Sequence, residues 1–112
     1  MTVYEEIFEV IKARKAAFDN GEAPEKSYTC YLFEKGLDKI LKKVGEECAE
    51  TIIAAKNDVP AETVGEISDL LYHLTVLMVE KGIPLEDVME ELDRRSTKIG
   101  NLKQFHQTDK ES

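Results

Sequence analysis

Apolar residues recur along this chain at helical spacing, and no alternating run is long enough to predict a useful strand. Thr2 followed by Glu5 is a capping-box pattern, and Val3, Ile7, Val10 and Ile11 form one stripe, predicting a helix from Val3 to about Asp19. Asn20-Gly21 ends that helix, and residues 22–26, which include Pro24, read as a polar loop. Ser27-Tyr28-Thr29-Cys30-Tyr31-Leu32-Phe33 mixes β-favouring and polar side chains and reads as loop plus a short helix, with a break at Gly36. A long helix follows from Leu37 to about Lys56, then a turn at Asn57-Asp58-Val59-Pro60. The next helix, about Pro60 to Lys81, carries a broad apolar face of Val64, Ile67, Leu70, Leu71, Leu74, Leu77 and Met78. Gly82 ends it, and Pro84 opens a last helix at its first turn, running to about Lys98. The expectation is an all-α antiparallel bundle in one domain, residues 1–100, with a frayed polar tail at 101–112.

One stripe is interrupted where it matters. Leu37, Ile40, Leu41 and Val44 lead, three or four residues on, to Glu47 and Cys48, so Glu47 occupies a position that a helix normally buries. Glu47-Cys-Ala-Glu50 and Glu66-Ile-Ser-Asp69 each place two carboxylates three residues apart, on one helix face. An antiparallel hairpin about the turn would bring all four together. Like charges at that density repel unless a cation sits among them, and all-oxygen sets suit Mg²⁺ or Mn²⁺. The competing reading is two solvated acidic faces, for the chain holds 23 Asp and Glu residues. Glu46 adds to the ambiguity, because it shares a face with Glu50. A di-iron bundle wants Glu-x-x-His on two helices, and no such motif occurs here.

The remaining candidates flank these motifs. His73, four residues after Asp69, could hydrogen-bond that carboxylate or a phosphate, or could simply pack. Lys39, Lys42 and Lys43 could pair with acidic neighbours one turn away, or one of them, best Lys43, could hold phosphate oxygens. Arg94 and Arg95 could do likewise, or only favour the negative end of the last helix. No Gly-rich phosphate loop, Walker lysine or Ser-His-Asp arrangement is present.

Composition narrows the class. With 112 residues, 42% hydrophobic and 34% charged, the chain is of globular type. A formal net charge of −8 disfavours nucleic acid or an anionic membrane as partner, though a bound metal can reverse the local sign for a phosphorylated substrate. No apolar run approaches a membrane span, and the acidic start is unlike a secretory signal. Cys30 and Cys48 make no disulfide framework; Cys48 reads as a small helix-packing residue, and the cytosol is the default location.

The run Ser27-Tyr28-Thr29, then Lys43-Val-Gly-Glu-Glu-Cys-Ala-Glu50, then Glu66-Ile-Ser-Asp69-Leu-Leu-Tyr-His73 closely resembles the phosphoribosyl-ATP pyrophosphohydrolase family. That family belongs to the all-α, MazG-like nucleotide pyrophosphohydrolases, and the resemblance spans residues 3 to 98. The ExxE and ExxD motifs are general to that superfamily; the Ser-Tyr-Thr and Tyr72-His73 segments are particular to its histidine-biosynthesis branch. The resemblance implies Mg²⁺ held by Glu47, Glu50, Glu66 and Asp69 and hydrolysis of phosphoribosyl-ATP to phosphoribosyl-AMP and pyrophosphate. It also implies a homodimer or pair of dimers, in the stand-alone form without a cyclohydrolase domain. Four carboxylates exceed the charge of one Mg²⁺, which suggests further metal or metal carried by the substrate. Glu46 could accept the proton of the attacking water. A house-cleaning (d)NTP pyrophosphohydrolase and a non-catalytic helical dimerisation module are the alternatives.

Overall fold

The computed structural model describes residues 1–97, which form five helices and no strand: α1 Val3–Asp19, α2 Tyr28–Lys35, α3 Leu37–Lys56, α4 Pro60–Glu80 and α5 Leu85–Ser96. The expected tail at 101–112, and Lys98 as the end of the last helix, lie outside the described residues.

Local chemistry explains the boundaries. Thr2 Oγ1 accepts from the Glu5 N–H at 3.1 Å while Glu5 Oε1 accepts from the Thr2 N–H at 3.1 Å, so two otherwise orphaned donors at the start of α1 are satisfied reciprocally. The segment at Ser27 resolves almost wholly into helix, because the Ser27 hydroxyl accepts from the Cys30 N–H at 3.1 Å and caps α2. Between α2 and α3 a single residue, Gly36 at φ 89°, turns the chain, a conformation that glycine adopts at little cost. Pro84 is the N-cap of α5 and not its first helical residue; its extended backbone precedes Leu85.

α3 and α4 form the most extensive helix pair, an antiparallel hairpin closed at Asn57-Asp58-Val59, and α2 bridges them to α1. The core is Ile11, Leu32, Phe33, Ile40 and Val76, with Phe18, Tyr72, Leu77 and Val79 packed against it. α5 barely touches the other helices, and Leu85 is its one buried residue.

Much apolar surface remains open in the single chain, and some expectations change accordingly. Of the α1 stripe only Ile11 is buried, joined by Phe8; Val3, Ile7 and Val10 face outward. On α4, His73, Thr75 and Val76 are buried, whereas Val64, Ile67 and Leu71 are exposed. Cys48 is exposed and not a packing residue within the chain, because the interhelical face of α3 runs through Ile40, Glu47 and Ala54.

Candidate metal centre between α3 and α4

Hairpin register brings the two acidic motifs together. Glu50 and Glu66 stand eight residues either side of Asp58, and Glu47 and Asp69 eleven, so an antiparallel pair turning there sets them opposite one another. Ligand oxygens of Glu47, Glu66 and Asp69 all lie within 4.8 Å of one another. In an octahedral Mg²⁺ shell with bonds of about 2.1 Å, oxygens are about 3.0 Å apart when adjacent and about 4.2 Å when opposite. The donor set therefore fits a hard divalent cation with modest side-chain adjustment.

Burial makes the case stronger than spacing alone. Glu47 is only 6% exposed, and its Oε2 and that of Glu66 are enclosed with no hydrogen-bond partner among the described residues. A buried carboxylate oxygen without a donor is costly, and a cation is what such a pair lacks. Glu50, on the exposed side, leans on both neighbours. The adjacent Glu50 carboxyl, which could bond Glu66 only by sharing a proton, is the largest cause, and burial and the charges of Glu50, Glu47 and Asp69 add to it, pushing the Glu66 carboxyl up to about 7. Burial, then Glu50 and Asp69, pushes Glu47 up as well, with Lys43 pulling the other way. Without a cation the cluster retains protons that ordinary carboxylates would have lost.

Around this centre the flanking candidates divide. Lys43 Nζ lies 3.2 Å from Glu46 and 3.8 Å from Glu47, placing one positive charge at the rim. That contact holds the Glu46 carboxyl below its ordinary range and makes it the poorer proton acceptor. His73 is buried and does not bond the Asp69 carboxylate: its Nδ1 donates to the Asp69 backbone carbonyl at 2.7 Å, and its Nε2 meets the Tyr28 hydroxyl at 2.9 Å. Both ring nitrogens are thus committed inside the protein. Arg94 pairs with Glu91 on its own helix, as does Arg95, and neither lines the groove at the cluster.

That groove, about 320 Å³, runs between α3 and α4 past Glu50, Asn57, Glu62, Glu66 and Asp69, with Ile53 and Ala54 as its apolar wall. Three further residues belong to the setting that helical spacing did not single out. Tyr28 touches His73, and Thr29 bonds the Tyr72 hydroxyl, so α2 is fastened to α4 at two consecutive positions beside the cluster. Their signal in the sequence was the Ser-Tyr-Thr and Tyr-His pairings, which carry no periodicity and only acquire meaning once α2 lies across α4.

Residues 9–96 match the family model described as phosphoribosyl-ATP pyrophosphohydrolase. The chain belongs to that family. A phosphoribosyl-ATP pyrophosphatase of Clostridium novyi (strain NT) is 54% identical over 101 residues, covering 90% of this chain and 87% of the relative. One from Listeria innocua is 56% identical over 94 residues, 84% of this chain and 85% of the relative. The histidine biosynthesis bifunctional protein HisIE of Caldanaerobacter subterraneus subsp. tengcongensis is 55% identical over 96 residues, 86% of this chain but 44% of that longer protein. The family's all-α character accords with the five helices, and none of the described helices is long and apolar enough to cross a membrane.

Proposed function

We propose that this chain hydrolyses phosphoribosyl-ATP to phosphoribosyl-AMP and pyrophosphate, with Mg²⁺ or Mn²⁺ held by Glu47, Glu66 and Asp69 and with Glu50 beside them on the open side. The observation that carries the metal is the pair of enclosed, unpartnered oxygens on Glu47 and Glu66, facing one another across a hairpin in a member of this family. All-oxygen donors favour these ions over zinc or copper. A bound divalent ion supplies charge neutralisation for the polyphosphate and lowers the pKa of a coordinated water.

The protein's own groups have distinct tasks in this reading. Glu47, Glu66 and Asp69 fix the cation's position from two rigid helices. Glu50, which lines the open groove, takes the proton of the attacking water; Glu46 is tied down by Lys43 and is the weaker choice. Lys43 turns its ammonium from Glu46 and Glu47 to a phosphate oxygen when substrate arrives, exchanging one anionic partner for another. His73 supports the site from within and is not a phosphate ligand.

A groove of about 320 Å³ is small for a substrate carrying adenine, two riboses and phosphates, since drug-sized ligand pockets run to about 1,000 Å³. Ile53 beside the groove is 59% exposed, and Ile52, Val64, Ile67 and Leu71 on the same two helices are also exposed. Covering these faces with a second copy would complete both the core and the substrate enclosure, which supports a homodimer. The test is the full chain with Mg²⁺, phosphoribosyl-ATP and a panel of NTPs and dNTPs, with pyrophosphate as readout. Release from phosphoribosyl-ATP that EDTA abolishes is expected. Equal or faster turnover of a common dNTP would transfer the assignment to the house-cleaning branch.

A further inference from the structure

The Tyr28–His73 contact lies outside the carboxylate cluster yet ends on one of its residues. A backbone carbonyl can only accept, so the 2.7 Å contact places the His73 proton on Nδ1, pointed at Asp69 O. In the neutral ring Nε2 is then an acceptor, and the Tyr28 hydroxyl donates to it across 2.9 Å. The phenol has spent its proton on the imidazole, so Tyr28 cannot also donate to a phosphate. Its role is mechanical. The ring of Tyr28 meets the His73 ring edge-on at 5.8 Å and the Tyr72 ring does so at 5.0 Å, while the two tyrosine rings stack on each other at 6.1 Å, so the imidazole is held against an aromatic pair. The Tyr28 hydroxyl also lies close enough to Lys43 and Glu47 to feel both charges, Lys43 opposing the upward push of burial and Glu47 adding to it.

We propose that Tyr28 is a positioning residue for the carboxylate cluster, acting through His73 to fix the Asp69 turn of α4 against the N-terminus of α2. The inference rests on the reading that the cluster holds a divalent cation. A hydroxyl–imidazole–carbonyl chain restrains the backbone that carries Asp69, and that backbone sets the spacing of Asp69 from Glu47 and Glu66. Partners of this kind, bonded to ligands and not to the ion, commonly change affinity or activity about 10- to 100-fold when removed. The Thr29–Tyr72 hydrogen bond joins the same two helices one position along but ends on no cluster residue, so it serves as an internal comparison.

The experiment uses the full chain with Mn²⁺ alone as probe. Binding is followed through the paramagnetic signal of free Mn²⁺, with melting temperature, kcat and KM measured in parallel. Tyr28→Phe deletes one oxygen and should weaken Mn²⁺ about tenfold and lower kcat more than it alters KM. Tyr72→Phe should lower the melting temperature comparably yet leave Mn²⁺ affinity within about twofold. His73→Gln, whose side chain offers an acceptor near the place of Nε2, should retain more Mn²⁺ affinity than His73→Leu. Equal Mn²⁺ affinity in Tyr28→Phe and the wild type, or equal losses in Tyr28→Phe and Tyr72→Phe, would overturn the proposal. Glu47→Gln separates the two levels. If it binds Mn²⁺ like the wild type, the metal reading fails and takes this inference with it; if it alone loses Mn²⁺, only the inference fails.

Discussion

Cation binding at the α3–α4 cluster should expel protons, and the amount follows from Glu66. With its carboxyl at about 7 in the metal-free protein, Glu66 carries about half a proton at pH 7, about 0.9 at pH 6 and about 0.1 at pH 8. A cation needs the ionised form, so each Mg²⁺ bound should release at least these amounts, with Glu47 adding to them because burial and Glu50 push it upward too. Glu50→Gln is the perturbation that isolates the cause. The amide can donate to Glu66 where the carboxylate could only share a proton, so the largest upward push on Glu66 is removed. Proton release at pH 6 should then fall below about half the wild-type value. Calorimetric titration with Mg²⁺ in two buffers of different ionisation enthalpy measures the proton count directly. Release that is flat between pH 6 and pH 8, or unchanged in Glu50→Gln, would refute the argument. The same variant at Glu90, exposed on α5, is the control and should match the wild type.

Further expectations follow from the same geometry. Without metal, the folded chain binds more protons than the unfolded chain between the ordinary glutamate pKa near 4.5 and about 7, so stability should fall as pH rises through that window, and saturating Mg²⁺ should abolish the slope; urea melts at pH 5, 6 and 7 with and without EDTA check it. Mg²⁺ at a hundredfold excess over its Kd should stabilise the wild type by about 2.7 kcal/mol and Glu47→Gln by much less, read from denaturant midpoints. Pyrophosphate release by Glu50→Gln should drop at least about a hundredfold with the far-UV circular dichroism unchanged. Ile40→Ala, at a fully buried core position, should cost about 2–5 kcal/mol by urea unfolding while leaving Mn²⁺ affinity per folded molecule intact. Ile53→Glu, a charge on the exposed wall of the groove, should shift the molecule toward monomer in light scattering and reduce turnover, whereas an unchanged mass would count against a second copy covering that face.

The sequence by itself determined the helices and the register of the acidic motifs. Capping at Thr2 and Ser27, breaks at Gly21, Gly36 and Gly82, and a turn at residues 57–60 are local chemistry, satisfied within a few residues of chain. The symmetry of Glu47, Glu50, Glu66 and Asp69 about Asp58 was equally legible, because two helices joined by a short turn have almost one way to pair. Glu47 announced itself by breaking an apolar stripe, and it is the cluster carboxylate most deeply buried. Tertiary structure alone decided the rest. Which apolar residues are buried depended on how many neighbours each helix face receives: Val76 is enclosed, while Val64 and Ile67 of the same helix stay exposed. Cys48 lies on the outer side of α3 because the interhelical face is angularly narrow and Glu47 occupies it. His73 meets the Tyr28 hydroxyl through a contact spanning 45 residues that no local periodicity encodes. Helical spacing reports which side chains share a face; only packing decides what that face meets.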